Sequence, residues 1–270
     1  MYLDFYGLSA SPFEITPDPR YLFYSRRHRE ALEHVLFGLQ QRKGFIQLTG
    51  QVGTGKTTLC RALLHELKDG WATAVILNPV MSSTQLLRAI LQELGLDSNG
   101  NDRLRLLERL NQFLLARAAA AENVALFVDE AQDLSDALLE ELRLLSNLET
   151  DDRKLLQIVL VGQPELRQRL ARSELRQLGQ RILVRYHLEP LNRAETRSYI
   201  AHRLAVAGAN GRPTFTTPAL WLLHHYSRGL PRLINALCDT TLLAGYAEGC
   251  EALGVRHVRR AARALAGRDR

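Results

Sequence analysis

Hydrophobic runs alternate with helical repeats along the first 190 residues of the chain. Leucine-rich stretches with one apolar face indicate helices, and the first of these runs from Arg26 to Gln40. Strands that alternate with helices form a parallel sheet with right-handed crossovers, so this part of the chain predicts an α/β core. Five short apolar runs predict its strands, at residues 45–49, 72–78, 124–128, 156–161 and 182–188.

The two ends of the chain follow other patterns. Residues 1–25 are rich in aromatic side chains and proline, which predicts an ordered, non-helical lead-in. From Leu191 onward the pattern is helical only, with Gly229 and Pro231 marking the end of one helix. We therefore expect three parts: a lead-in with its helix at 1–44, an α/β core at 45–190 and a small helical lid at 191–270.

Composition narrows the class of protein. Hydrophobic residues make up 46% of the 270 residues, which is enough for a substantial core. The sequence has neither a transmembrane-length apolar stretch nor a secretory signal, so we expect no membrane helix. Cys60, Cys238 and Cys250 lack the paired spacing of a metal site and predict buried thiols in a reducing compartment. These features favour a bacterial-type cytoplasmic location.

The positive charge is concentrated in the C-terminal third. The net charge is +6, and residues 191–270 contain 12 basic and 5 acidic residues. A basic patch of this kind suits DNA, an anionic membrane surface or an acidic partner. A solvated helix face followed by a frayed tail explains the same charges equally well. The arginines that cluster at the end are Arg256, Arg259, Arg260, Arg263, Arg268 and Arg270.

A complete phosphate-binding motif, G-x-x-x-x-G-K-[ST], follows the first predicted strand and opens a helical pattern. Its glycines let backbone N–H groups surround phosphate oxygens at a helix N-terminus. Lys56 is expected to reach the β- and γ-phosphates of ATP, and the Thr57 hydroxyl to hold Mg²⁺. An accidental glycine turn is the alternative, but the strand and helix on either side favour a nucleotide site. The predicted nucleotide-binding residues are Gly50, Gln51, Val52, Gly53, Thr54, Gly55, Lys56, Thr57 and Thr58.

Two carboxylates end the third predicted strand, which is apolar throughout and therefore buried on both faces. Asp129 at the tip of this strand is expected to hold Mg²⁺ through its water shell. Glu130 is then placed to orient or deprotonate the water that attacks the γ-phosphate. The alternative is that both acids simply begin the next helix, where negative charge is favourable.

The order of these motifs resembles that of an AAA+ ATPase along nearly the whole chain. The resemblance implies a five-stranded parallel sheet of order 5-1-4-3-2, with helices on both faces and a helical lid. It implies that Gln163, in Gly162-Gln163-Pro164, senses the γ-phosphate from the tip of strand four. It also implies that Arg232 in the lid contacts the nucleotide, although a surface arginine is the alternative.

The same resemblance implies catalysis between subunits of a homo-oligomer. Arg181, just before strand five, matches the position of an arginine finger that completes the site of a neighbouring subunit. Arg176 is the alternative finger. Asn78, at the tip of strand two, is similar to an asparagine that holds the catalytic glutamate inactive in related proteins, although it is also an ordinary strand terminator.

A narrower resemblance is carried by the lead-in and by segments around the motifs. These segments lie at residues 5–8, 12–13, 17–20, 24–25, 28–32, 129–132, 145–150 and 161–166. They are similar to the general secretion pathway protein A (ExeA-like) ATPases, which include ATPases of type II secretion and of mannose-sensitive haemagglutinin (MSHA) pilus assembly. The resemblance implies that residues 23–25, which include Tyr24, and His28 lie near the adenine. The alternative is that Phe23 and Tyr24 anchor the lead-in to the core. The secretion proteins continue into a membrane helix and a periplasmic domain, so we expect either a fragment located at the inner membrane or a shorter relative.

These observations predict an Mg²⁺-dependent ATPase that drives or switches assembly of a bacterial envelope machine, together with an envelope-assembly partner protein. A DNA-handling AAA+ ATPase, such as a transposition target selector, is the alternative that the basic C-terminal third favours. A nucleotide-gated scaffold with weak hydrolysis is a third interpretation. A helicase is excluded because no second nucleotide-binding lobe fits after Leu188.

Overall fold

The computed structural model describes residues 1–14, 19–67, 70–150 and 153–267. Contacts divide the chain into two compact units. The sheet unit comprises His28–Gln51 and Leu59–Leu188, and the helical unit comprises Met1–Arg27, Val52–Thr58 and Glu189–Arg270. Some residues singled out in the sequence lie outside the described residues, namely Pro17, Asp18, Arg268 and Arg270.

The sheet of the sheet unit has the predicted order. Its strands are all parallel and lie in the order β2-β3-β4-β1-β5, which is 5-1-4-3-2 read from the other edge. The strands are β1 (Phe45–Gly50), β2 (Trp71–Ile76), β3 (Asn123–Val128), β4 (Leu156–Gly162) and β5 (Ile182–Leu188).

Helices cover both faces of this sheet, as predicted. On one face, leucines of the fourth to sixth helices pack against Leu126 and Leu160. On the other face, residues of the second and third helices pack against Phe127 and Val161. The helices among the described residues are α1 (Tyr2–Tyr6), α2 (Arg26–Gln40), α3 (Lys56–Glu66), α4 (Ser83–Glu93), α5 (Arg103–Ala119), α6 (Asp136–Leu145), α7 (Pro164–Leu170), α8 (Arg176–Arg181), α9 (Arg193–Val206), α10 (Thr217–Ser227), α11 (Pro231–Ala247) and α12 (Val255–Leu265). None of these helices is long and apolar enough to cross a membrane.

The lead-in contains more helix than the sequence predicted. Residues 2–6 form α1, which ends at Gly7 in the left-handed conformation. Tyr6 on this helix is buried, and its hydroxyl donates to the carbonyl oxygens of Leu242 and Cys250 at 3.1 and 3.2 Å. The expectation of a non-helical lead-in was wrong, because tertiary contacts support a helix too short to be recognised by its periodicity.

The lead-in groups with the C-terminal third, which differs from the predicted boundary at residue 44. Phe13 is buried in the core of the helical unit. The Arg203 guanidinium on α9 donates to the carbonyl oxygens of Pro12 and Glu14 and lies 4.6 Å from the centre of the Tyr21 ring. A buried cation with these partners fixes the lead-in on the helical unit.

The C-terminal third is not helical only. Two strands of two residues each, β6 (Thr214–Phe215) and β7 (Ala252–Leu253), pair in parallel. Such strands are too short to show a period of two in the sequence, so the helical interpretation was wrong there. Cys250, in the turn before β7, is only partly buried, whereas Cys60 and Cys238 are buried as predicted. Burial raises the pKa of the Cys238 thiol well above its ordinary value.

Gly229 provides a test of how the helical unit is built. It has a φ of +74°, and a Cβ at this position would lie 1.9 Å from the carbonyl oxygen of Leu191. Gly249 has a similar φ of +64° but open space around the Cβ position. We expect Gly249→Ala to cost about 1 kcal/mol through backbone strain alone. Gly229→Ala should cost at least about 3 kcal/mol, because the backbone must also move. Chemical denaturation measures both values, and equal costs would contradict this packing.

Candidate active site

Three central strands of the sheet unit end side by side at one edge. In the parallel register Thr49 of β1 pairs with Gly162 of β4, and Val128 of β3 pairs with Leu160 of β4. The residues at the three tips are therefore Gly50, Asp129 and Gln163. Ligands of open parallel sheets bind at the carboxyl ends of the strands, so the functional groups of the sheet unit are expected at this edge.

Asp129 and Glu130 leave β3 in a constrained turn. Asp129 is only 7% exposed, its backbone N–H donates to the Ile76 carbonyl oxygen at 2.8 Å, and one carboxylate oxygen accepts the Glu130 N–H at 2.9 Å. Glu130 has a φ of 49° and a ψ of 38°, a left-handed conformation that non-glycine residues rarely adopt. The next α-helix begins only at Asp136 and is capped by Ser135. The two acids therefore do not begin α6.

Two glutamine side chains hold the Glu130 carboxylate. The Gln132 amide donates to Glu130 Oε2 at 2.7 Å, and the Gln163 amide lies 3.4 Å from the same oxygen. The Gln132 side-chain oxygen also accepts the Gln163 backbone N–H at 2.9 Å. The structure thus brings the predicted residues Glu130 and Gln163 together and adds Gln132, which lies within the Asp129–Gln132 motif but had no role in the sequence interpretation.

Arg169 on α7 holds the backbone of this turn. Its guanidinium donates to the carbonyl oxygens of Gln132 and Leu134 at 2.6 and 2.7 Å and pairs with Asp136. A planar cation with several fixed acceptors limits the motion of the segment that contains Gln132. Neither the spacing nor the charge pattern of the sequence indicated this role for Arg169.

The structure does not pair Asn78 with Glu130. Among the described residues, the hydrogen bonds of the Glu130 carboxylate come from Gln132 and Gln163. The Asn78 side-chain oxygen instead accepts the backbone N–H of Val80 at 3.3 Å. Asn78 is exposed and acts as a turn residue after β2, which corrects the role that the resemblance implied.

Arg181 lies at the end of α8 and is held by its own unit. Its guanidinium donates to the Ser146 hydroxyl at 2.9 Å and to the Asn147 side-chain oxygen, just after α6. Residues 145–150 carry part of the family resemblance, and this contact gives two of them, Ser146 and Asn147, a structural role. Arg176, the alternative finger, is exposed at the start of α8. Ser146 and Asn147 were not expected to contact Arg181, because they are 34 or more residues away in sequence.

The remainder of the phosphate loop, Val52–Thr58, lies in the helical unit. Gly53 and Gly55 have φ values of +81° and +99°, which only glycine adopts without strain. Lys56 is the first residue of α3 and is 7% exposed. These positive-φ glycines and the helix start form a cradle of the type that binds phosphate.

Arg232 contacts this loop, and its predicted contact with the nucleotide stays a prediction. Its backbone N–H donates to the Gly53 carbonyl oxygen at 3.3 Å. A Cβ on Gly53 would lie 2.9 Å from the Arg232 Cβ, so only glycine leaves room for this approach. The residues of this cradle fit a bound nucleotide, and the Thr57 hydroxyl within it is an oxygen donor of the kind that Mg²⁺ prefers.

The residues predicted near the adenine do not all lie in one unit. Tyr24 is partly buried in the helical unit, and His28 is buried on α2 in the sheet unit. Their assignment to the adenine stays a prediction.

Comparisons with known proteins give a consistent identification. The family described as "AAA domain" matches residues 39–170. General secretion pathway protein A of Aeromonas hydrophila is 51% identical over 250 residues, which cover 92% of this chain and 46% of that protein. The chain therefore spans about half the length of this relative.

Solved structures share the fold at low sequence identity. The Aeropyrum pernix ORC2 protein is 18% identical with a TM-score of 0.67, over 94% of this chain and 71% of that chain. Cdc6p of Pyrobaculum aerophilum is also 18% identical, with a TM-score of 0.71 over 93% and 69% of the two chains. The Thermotoga maritima RuvB Holliday junction branch migration motor is 20% identical, with a TM-score of 0.58 over 90% and 70%. These similarities concern the fold alone.

Gln132 gives a direct test of the glutamine network. Gln132→Leu removes the donor to Glu130 and the acceptor for the Gln163 N–H, so the carboxylate loses its orientation. We expect kcat for ATP hydrolysis to fall about tenfold or more, with ATP affinity changed less than about threefold. Gln168→Leu, an exposed change on α7, is the matched control. A Gln132→Leu variant that keeps the wild-type kcat would show that the network has no part in hydrolysis.

Proposed function

This chain belongs to the AAA+ P-loop ATPases as a relative of general secretion pathway protein A, and we propose that it hydrolyses MgATP to drive or switch assembly of a bacterial envelope machine. The observation that supports hydrolysis most strongly is the Glu130 carboxylate, oriented by Gln132 and Gln163 at the carboxyl edge of the sheet. The envelope role is supported by the relative that shares 51% identity. Type II secretion and MSHA-type pilus assembly are the machines we propose.

Each residue of the site has one role in this proposal. Lys56 neutralises charge on the β- and γ-phosphates, and backbone N–H groups of Gly50–Thr58 surround their oxygens. Thr57 and Asp129 hold Mg²⁺, which supplies further positive charge to the phosphates. Glu130 orients the attacking water and accepts its proton. Gln163 and Arg232 respond to the γ-phosphate, so they couple the nucleotide state to the helical unit.

Catalysis is shared between subunits in this proposal. Arg181 stabilises charge on the transferring phosphoryl group of a neighbouring subunit. Ser146 and Asn147 hold the Arg181 guanidinium through neutral hydrogen bonds, which are weak enough to exchange for a phosphate. Nucleotide-dependent assembly then follows, because the site is complete only when two subunits meet.

We propose that the chain acts in the bacterial cytoplasm, at the inner membrane if it is part of a longer protein like its relative. The partner that we propose for this chain in envelope assembly is a protein. The second candidate function, a DNA-handling ATPase, is favoured by one observation, the four arginines of α12. An anionic membrane surface is the other partner that this charge suits.

Mixing two inactive variants tests the shared site. Arg181→Ala keeps the Glu130 carboxylate but lacks the arginine, and Glu130→Gln keeps Arg181 but lacks the carboxylate. The turnover of each variant alone should therefore fall at least about a hundredfold. In an equal mixture about a quarter of the interfaces combine an intact carboxylate with an intact arginine, and turnover should recover accordingly. Lys56→Ala alone should have no turnover and gives the inactive reference.

Arg176→Ala is the matched control for the arginine. If Arg181 is the finger, Arg176→Ala should keep turnover within about threefold of wild type. Turnover could recover when Arg176→Ala is mixed with Glu130→Gln but not when Arg181→Ala is mixed with Glu130→Gln. That result would assign the arginine finger to Arg176. No recovery in either mixture at any ratio would contradict a site shared between subunits.

A further inference from the structure

The helical unit contains a cavity that the nucleotide site does not use. Its volume is about 300 Å³, and it lies where three helices begin. Arg193, Thr217 and Val255 are the first residues of α9, α10 and α12, and all three line the cavity. The N-terminus of a helix carries partial positive charge, so three helix N-termini at one cavity favour a negatively charged ligand. The volume is at the small end of the range of ligand pockets, about 300–1,000 Å³.

The wall of the cavity is largely apolar. Pro218, Leu222 and Val255 line it together with Trp221, whose side chain is 47% exposed. The Trp221 ring is parallel to the His225 ring, and the two ring centroids are 5.7 Å apart. This stacking orients the Trp221 ring. An exposed tryptophan in a fixed orientation is typical of residues that anchor a partner side chain.

Two arginines stand at this cavity. The Arg193 guanidinium lies 5.9 Å from the centre of the Trp221 ring, and Arg259 lines the cavity from α12. Both side chains are exposed, and among the described residues neither forms an ion pair with a carboxylate. Burial lowers the pKa of the nearby His224, and the positive charge of Arg193 lowers it further. Arg193 and Arg259 thus bring two positive charges to the cavity.

The other arginines of α12 differ from Arg259 in their surroundings. Arg256 and Arg260 both pair with Glu248, at 3.1 and 3.5 Å, so two arginines share one carboxylate. Arg259 and Arg263 are the arginines of this helix that have no ion pair among the described residues. Of these two, Arg259 lines the apolar cavity.

We propose that this cavity binds an acidic segment of a partner protein. One apolar or aromatic side chain of the segment enters the cavity beside Trp221. Carboxylates next to it in sequence pair with the Arg193 and Arg259 guanidinium groups. A cavity of about 300 Å³ with an apolar wall and two arginines suits an apolar side chain flanked by carboxylates better than a nucleic acid duplex. The inference does not depend on ATP hydrolysis.

A defined peptide tests this proposal on the full chain. The probe is a fluorescein-labelled peptide with a central phenylalanine and three glutamates on each side, and binding is measured by anisotropy at physiological salt. Arg193→Glu and Arg259→Glu should each weaken binding about tenfold or more. Arg263→Glu, the matched control one turn along α12, should change affinity less than about twofold. Circular dichroism and ATP turnover, both expected to be unchanged, verify folding and an intact nucleotide site.

A second peptide with alanine at the centre separates the cavity from its charges. It should bind the wild-type chain about fivefold more weakly or worse, and Trp221→Ala should remove that difference. The proposal is overturned if the two peptides bind equally, if Arg263→Glu weakens binding as much as Arg259→Glu, or if neither peptide binds at millimolar concentration. It is also overturned if duplex DNA or phosphatidylglycerol vesicles bind in an Arg193- and Arg259-dependent manner while the peptide does not.

Discussion

The central strands of the sheet unit are buried on both faces, and this constraint decides where chemistry can occur. Every residue of β1 and β4 is buried, as are Val124–Val128 of β3. The polar side chain of Gln157 inside β4 serves the fold, since it accepts the Gly44 N–H and donates to the Lys154 carbonyl oxygen. Groups that act on a ligand are left to the strand tips, which is where Asp129, Glu130 and Gln163 lie.

Neutral hydrogen bonds hold two of the charged side chains that the proposed reaction needs in the sheet unit, Glu130 and Arg181. Glu130 is held by two glutamine amides, and Arg181 by Ser146 and Asn147. Neutral donors and acceptors stabilise by about 1 kcal/mol each, less than a phosphate or a metal-bound water can offer. Both side chains are thus fixed in the single chain and remain able to change partners when a nucleotide and a second subunit arrive.

The strands and the glycine loop could be predicted from the residues because each depends on a local pattern or on a complete motif, whereas the strand order followed from the family resemblance. The sequence interpretation failed for elements too short to show a repeated pattern, α1 and the β6–β7 pair, where distant contacts decide the conformation. The resemblance implied a contact of Arg232 with the nucleotide, and it did not predict the contact of Arg232 with Gly53. The roles of Gln132, Arg169, Ser146 and Asn147 did not follow, since each contact depends on a pairing that only the folded chain creates. Asn78 shows the reverse error, in which a local turn residue resembled a regulatory one.

Turnover measured across protein concentration, with and without duplex DNA at moderate salt, tests the central claim most directly. An ATPase whose site is completed by a neighbouring subunit should show specific activity that rises with protein concentration, and an envelope-assembly ATPase should be indifferent to DNA. Constant specific activity would contradict the shared site. Strong stimulation by DNA that disappears as salt rises would contradict the envelope role and favour a DNA-handling ATPase.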